Sequence, residues 1–336
     1  MPADEPRLGI HLALATGMVR AANRAAELGL ATVQVFGDNP TAWRRRAEPN
    51  PELPGFRAAL GAAGVDPIAV HASYLINPAG AESIHHERAI ELLASELEAA
   101  EGFGATIVNV HVGSHLGAGV EAGVASVVDV IRRARALALE HGVGSLATIT
   151  LENSAGGGFG LGVDVAELGA IADAADDAGL DRSAVAFCLD TAHAWGAGID
   201  MSDPAAIDAL VESFERRIGL DRLALVHLND SSTGRGSRSD RHQHVGAGQI
   251  GAAGLGHLVR HPALRDIPFI LETPGMEDGY DAVNIGRARS LVHGEPLDEL
   301  PPEALNLPGS RTRAATPPAR PRQPAARPEP VASRRA

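Results

Sequence analysis

Short apolar runs recur along this chain, each followed by a longer stretch in which apolar residues return at every third or fourth position. The runs are LGIHLAL (8–14), TVQVF (32–36), PIAVHA (67–72), TIVNVHV (106–112), ATITLEN (147–153), AVAFCLD (184–190), LALVHLND (223–230) and PFILET (268–273). Runs of this length, rich in Val, Ile and Leu, read as strands buried on both faces. Between them, HHERAIELLASELEAAEGFG and VASVVDVIRRARALALEHG carry helical periodicity and end in Gly, the residue that most readily closes a helix. Strands alternating with helices predict a parallel sheet. Eight such units predict an α/β fold, a (β/α)8 TIM barrel, as a single domain over residues 1–295. A doubly wound open sheet is the alternative that the same pattern permits.

Beyond residue 295 the pattern stops. PLDELPPEALNLPGS leads into RTRAATPPARPRQPAARPEPVASRRA, rich in Pro, Ala and Arg and nearly free of apolar bulk, so residues 296–336 are expected to form a disordered tail. From Gly309 onward it carries seven arginines and one glutamate. Such a tail either adds nonspecific phosphate affinity or is a solvated extension without a role.

Composition narrows the chemistry. Hydrophobic residues make up 45% of the 336 but aromatics only 3%, so the core must rest on Ala, Val, Leu and Ile. The single cysteine, Cys188, excludes an internal disulfide framework and a cysteine-based zinc finger. Any metal site must then use His, Asp and Glu, ligands suited to zinc, manganese or iron. The net charge of −13 argues against a generic nucleic-acid binder. Two features soften that reading: all 29 basic residues are arginine, the better bidentate phosphate ligand, and acidic metal ligands count as negative only until metals bind. No apolar run reaches the ~18–20 residues of a membrane span. MPADEPRLGIH lacks the basic-then-apolar pattern of a secretory signal, so a cytoplasmic chain, off the membrane and monomeric, is expected.

Six of the eight runs carry at or near their C-terminal end a residue that can bind a metal: His71, His111, Glu152, Asp190, His227 and Glu272. In a barrel the C-terminal strand ends share one face, and that face carries the active site. One such residue alone reads equally well as a satisfied core side chain; six in register do not. His193 follows Asp190 in LDTAH. Asp240 and His242 flank Arg241 in SDRHQH, and an i, i+2 pair in extended chain points both side chains to one side. Nine candidates result, enough for three metal positions if one carboxylate bridges. His115 and His244 lie close in sequence and could orient ligands, whereas His85, His86, His257, His261 and His293 have no partner motif. The Gly-rich ENSAGGGFG (152–160) lacks the Lys-Ser/Thr of a phosphate-binding P-loop and reads as a loop needing positive φ or close backbone approach. No G-x-S-x-G occurs, and Cys188 lies inside an apolar run, so a serine or cysteine nucleophile is unsupported.

Several of these stretches together resemble the endonuclease IV family of apurinic/apyrimidinic endonucleases. They are VHASYLIN (70–77), NVHVGSHLG (109–117), LENSAG (151–156), CLDTAHAWGAGID (188–200), VHLNDS (226–231), GSRSDRHQHVGAGQIG (236–251) and LETPG (271–275), in the family's order. The resemblance implies a trinuclear zinc cluster, with manganese possible at one position. His71, His111 and Glu152 would hold one ion. Glu152 as a bridge, Asp190, His227 and Glu272 would hold the second, and His193, Asp240 and His242 the third. It implies duplex DNA with abasic sites or blocked 3′ ends as substrate and cleavage on the 5′ side of the lesion, leaving a 3′-hydroxyl and a 5′-deoxyribose phosphate. Glu152 and Glu272 are the expected catalytic carboxylates, Glu272 orienting the attacking water or accepting its proton. Tyr74, Leu75 and Arg241 are the expected DNA contacts, Tyr74 and Leu75 filling the gap left by a missing base.

The chain also departs from the family. Ala13 and Thr16 stand in the first loop, HLALATGM, where the family usually has a serine and paired glycines. In FGDNPTAW, Thr41 stands where the family commonly has an arginine that enters the DNA; Arg44, Arg45 and Arg46 lie just beyond. The alternative function is a metal-dependent sugar isomerase or epimerase of the related xylose-isomerase-like barrels, for which Glu152, Asp190, His227 and Glu272 alone would suffice. A lyase acting through a lysine Schiff base is excluded, because the chain has no lysine.

Overall fold

A computed structural model describes residues 5–46, 48–81 and 84–306. Eight parallel strands close into a barrel: β1 (Leu8–His11), β2 (Thr32–Phe36), β3 (Ile68–His71), β4 (Ile107–His111), β5 (Thr148–Glu152), β6 (Val185–Asp190), β7 (Leu223–His227) and β10 (Phe269–Leu271). Their order round the barrel is β1-β10-β7-β6-β5-β4-β3-β2, closed by β1 pairing with β2. The open-sheet alternative is thereby excluded. The first and last strands are shorter than the runs suggested, ending at His11 and Leu271, because the chain turns into loops there.

Helices wrap the outside. In α3 (His86–Phe103) the buried Ile90, Leu93, Leu97 and Ala100 recur at helical spacing against the sheet, and the helix ends on Gly104 with φ 71°. In α4 (Val120–Glu140) Val127, Ile131, Ala134 and Ala138 do the same. Further round, α7 (Pro204–Arg217) starts with Pro at its first position and an Asp203 side chain that accepts a hydrogen bond from the Ala205 amide. Among the described residues no helix is long and apolar enough to cross a membrane.

Side-chain alternation builds the site. Ala69, Ile107, Cys188, Leu225 and Ile270 form a small apolar cluster of their own, apart from the sheet–helix core. Two residues further along four of the same strands come His71, Asp190, His227 and Glu272, which the two-residue period turns the same way. The barrel thus ends in a polar layer resting on an apolar one.

A second excursion completes that layer. After β7 the chain forms a two-stranded antiparallel ribbon, β8 (Asp230–Ser231) with β9 (His242–Gln243), pairing Ser231 with His242. The buried Asp230 carboxylate accepts the amides of Ser231, Gly248 and Ile250 at 2.8–3.0 Å and so fixes both ends of the excursion. The loop lies against α6 (Thr191–Ala197): Gly236 and Arg238 donate to the carbonyls of Trp195 and Gly196. Gly196 allows that approach, since a Cβ there would stand 3.0 Å from the Ala155 Cβ and 3.3 Å from the Ser239 oxygen.

Some residues beyond 295 still pack on the barrel. Leu297 packs against the core, the Ala304 carbonyl accepts from His244 Nε2 at 3.1 Å, and Ala304 is buried. Residues 307–336 of the expected tail lie outside the described residues.

Candidate metal centre

All nine expected ligands gather at the C-terminal mouth of the barrel. His111 and Glu152 are register partners across β4 and β5, as are Asp190 and His227 across β6 and β7. Among the described residues four groups of donor atoms are close enough to share an ion: His71 with His111 and Glu152; Glu152 with Asp190, His227 and Glu272; Asp190 with His193 and His242; and Glu152 and His227 with the buried Cys188. Glu152 faces both ways. Its Oε2 lies 3.6 Å from Nε2 of His71 and of His111, and its Oε1 lies 3.4 Å from His227 Nδ1. Asp240 completes the third group, with carboxylate oxygens 3.3 Å from His193 Nε2 and 3.1 Å from His242 Nε2.

Apart from the 3.1 Å His242–Asp240 contact, these spacings of 3.3–3.6 Å are long for hydrogen bonds and suit ligands of a shared ion. Ligand atoms bonded to one tetrahedral zinc at roughly 2.0–2.1 Å lie about 3.3 Å apart. His227 Nδ1 is the clearest case: it is buried with no hydrogen-bond partner, yet Glu272, Glu152 and Asp190 oxygens surround it at 3.3, 3.4 and 3.7 Å. The remaining ring nitrogens set the tautomers. Nδ1 of His71, His193 and His242 each donates at 2.8 Å to a backbone carbonyl, of Ala72, Asn153 and Glu272 respectively, which leaves Nε2 with its lone pair toward the carboxylates. The donor set fits divalent ions of the zinc and manganese type.

Several partners escaped the sequence reading. Gln34 on β2 donates from Nε2 to Glu272 Oε1 at 2.6 Å and to His11 Nδ1 at 3.1 Å, while its Oε1 accepts from His227 Nε2 at 3.2 Å. One amide thus orients a carboxylate and an imidazole of the same group. Asn229, fully buried, donates to Asp190 Oδ2 at 2.7 Å and accepts the Glu272 amide at 2.8 Å. Asn109 donates to Glu152 Oε2 at 2.6 Å. A polar residue interrupting a run buried on both faces was the available signal for Gln34 and Asn109, and for His11, which closes β1 beside Glu272 at 3.6 Å.

Other expectations are corrected. His244 points away from the mouth and bonds to Asn284 and Ala304. Nδ1 of His115 accepts the amides of Gly117 and Gly119 and shapes its own loop. His257 is paired, with Nε2 2.6 Å from Asp208. Arg45 is no free replacement for the missing loop arginine, because it is held in an ion pair by the buried Glu96; Arg44 and Arg46 are exposed. Thr41 closes a turn on the Asn39 side chain. Tyr74 and Arg241 are exposed, whereas Leu75 packs partly against the core. Burial pushes the Cys188 thiol up to about 12, so it stays neutral.

The electrostatics favour cations. Burial opposes the charge on Glu152, but His227 and His111 hold its carboxyl well below the usual range. Burial likewise opposes charge on His242, yet the hydrogen bond and charge of Asp240, with Asp190 and Glu272, raise it to about 9. Without metal this pairing stabilises the fold fully below about pH 6.5 and its contribution fades as pH rises through about 9. Since ligation needs the free lone pair, zinc added to the metal-free protein at about pH 7.5 is expected to release protons, and fewer at about pH 10. Titration in weak buffer checks this; equal proton release at both pH values would contradict it.

The comparisons with known proteins agree with this geometry. The family profile described as xylose isomerase-like TIM barrel matches residues 22–292. A Methanoculleus marisnigri protein named "Probable endonuclease 4" is 39% identical over 286 residues, 85% of this chain and 98% of that protein. A Haloarcula marismortui protein of the same name is 35% identical over 285 residues, again 85% and 98%. The crystal structure of endonuclease IV from Thermus thermophilus superposes with a TM-score of 0.73 at 38% identity, covering 86% of this chain and 100% of that one. D-allulose 3-epimerase from Methylomonas sp. shares the fold alone, with a TM-score of 0.58 at 16% identity over 87% and 98% of the two chains. The chain belongs to the endonuclease IV family of xylose-isomerase-like TIM barrels.

Proposed function

We propose that the protein is a zinc-dependent endonuclease that hydrolyses the phosphodiester on the 5′ side of abasic sites in duplex DNA, leaving a 3′-hydroxyl and a 5′-deoxyribose phosphate. The observation that carries this reading is the return of Asp240 and His242 to the mouth, where the Asp240 carboxylate lies 3.3 Å from His193 Nε2 and 3.1 Å from His242 Nε2, beside the Glu152–Asp190–His227–Glu272 group. A sugar isomerase of this fold needs the second group and has no use for the first.

The residues divide the work. His71, His111 and Glu152 would hold one zinc, Glu152, Asp190, His227 and Glu272 a second, and His193, Asp240 and His242 a third. When bound, such ions lower the pKa of water toward about 7 and neutralise charge developing on a phosphate. Glu272 would orient the attacking water and take its proton: burial opposes its charge, but the charge of His227 holds it ionised, and Gln34 and Asn229 donate to its two oxygens. Tyr74 stands over the imidazoles of His71 and His111, with ring centroids 5.6 and 5.9 Å away, where a side chain could enter the gap left by a missing base. The exposed Arg241, beside Asp240, would meet a phosphate.

Metal analysis separates the two readings. Purified protein should carry close to three zinc ions per chain and should not turn over ketohexoses or aldopentoses. One or two manganese ions with sugar turnover would transfer the chain to the isomerases.

A further inference from the structure

The geometry points to a second apolar contact with DNA, made by Leu116 and Phe159 on the rim next to Tyr74. This rests on the proposed function and adds to the substrate-binding surface Phe159, which lies outside the family-like stretches, and Leu116, which lies within NVHVGSHLG but carries no expected role there. Tyr74, Leu116 and Phe159 are three of the few large apolar side chains left exposed, at 56, 59 and 58%. They sit in the loops after β3, β4 and β5, which are neighbours in the barrel, and on the face that carries the metal centre.

The loops are tied to one another. Asn77, in the loop after β3, accepts the Ser114 amide at 2.7 Å and donates to the Ser114 carbonyl at 3.0 Å. Ser114 forms an isolated bridge with Gly160, the His115 amide donates to the Phe159 carbonyl at 3.0 Å, and the Leu161 amide donates to the Gly113 carbonyl at 2.9 Å. The His115 ring packs against Phe159 at 5.6 Å. Leu116 is held at φ +54°, a conformation leucine rarely adopts, by the turn through the Ser114 hydroxyl. Strain of this kind persists where the surroundings over-determine it and is most common at functional surfaces. The result is a braced pair of apolar side chains facing solvent.

Continuity and charge identify the occupant. The Gly-rich loop that carries Phe159 touches the arginine-bearing loop after β7: a Cβ on Gly157 would lie 3.1 Å from the Arg238 carbonyl, and one on Gly156 would lie 4.0 Å from its side chain. Arg235, Arg238 and Arg241 are all exposed there. Apolar and aromatic surface bordered by arginines matches DNA opened at a lesion, with the unstacked bases on the former and phosphates on the latter. Leu116 and Phe159 therefore pack on bases flanking the cleaved phosphate.

Phe159→Ser and Leu116→Ser alter exposed side chains and should leave folding and metal content at wild-type values. Their affinity for a duplex with one abasic analogue, read by fluorescence anisotropy, should fall roughly five- to hundredfold. The salt dependence of binding should keep its slope, because no phosphate contact is removed. Affinity within twofold of wild type, as expected if this patch receives another protein instead, overturns the inference; so does a loss that disappears with a changed salt slope. A wild-type protein that fails to bind the duplex removes the proposed function and this inference with it, whereas wild-type binding with unaffected variants removes the inference alone.

Discussion

Glu272→Gln is expected to bind abasic duplex with near wild-type affinity while its single-turnover cleavage rate falls roughly 10²–10⁴-fold, the span associated with loss of a general base. Glu272 is the carboxylate of the cluster whose surroundings most plainly keep it anionic and aimed. Gln34 and Asn229 donate to its two oxygens, and His227 and His11 stand beside it. The amide isostere fills the same volume and retains an oxygen but cannot take a proton. It also turns an NH2 toward one of the two donors, so a modest loss of metal affinity accompanies the rate effect. Rapid-quench cleavage of a labelled duplex, with metal content measured on the same sample, separates the two. A variant that cuts at the wild-type rate would remove Glu272 from the proton-transfer role.

Glu152→Gln should be more severe. Glu152 is buried among His71, His111, His193 and His227, and its two oxygens serve two donor groups at once. Gln cannot supply the anionic bridge, and its amide would meet Asn109, which now donates to Oε2. Two of three metals should be lost, leaving the ion held by His193, Asp240 and His242. Losing several kcal/mol of charge stabilisation corresponds to at least about 10³-fold in rate. Elemental analysis and cleavage kinetics check this together. Retention of three metals with cleavage within tenfold of wild type would show that Glu152 does not bridge.

Much of the centre was legible because parallel strands buried on both faces write their functional residues as interruptions. His71, His111, Glu152, Asp190 and His227 each close a strand, and Glu272 follows one. The barrel converts those sequence positions into one rim. Asp240 and His242 were readable from their i, i+2 spacing beside an arginine. What brings them home was not, since it depends on Asp230 capping the ribbon and on the close approach at Gly196. Gln34 and His11 were hidden inside apolar runs, where one polar residue looks like noise until Glu272 is known to lie beside it. His244 misled by proximity: the paired strand is only two residues long, and the chain then carries His244 inward to Asn284. The fold continues past residue 295 because sparse residues, Leu297 and Ala304, find places against the barrel. A segment with so little apolar density gives no periodic signal for that.

The cluster of imidazoles and carboxylates at the barrel mouth is proposed to hold cations that activate water against a phosphodiester. The most direct measurement is incubation of the metal-loaded protein with a duplex bearing a single abasic analogue, with and without a strong chelator. One cut on the 5′ side of the lesion is expected, with an extendable 3′-hydroxyl, abolished by chelation and restored by zinc. An uncut duplex from protein shown to be fully loaded, or a cut that survives chelation, would contradict the proposal.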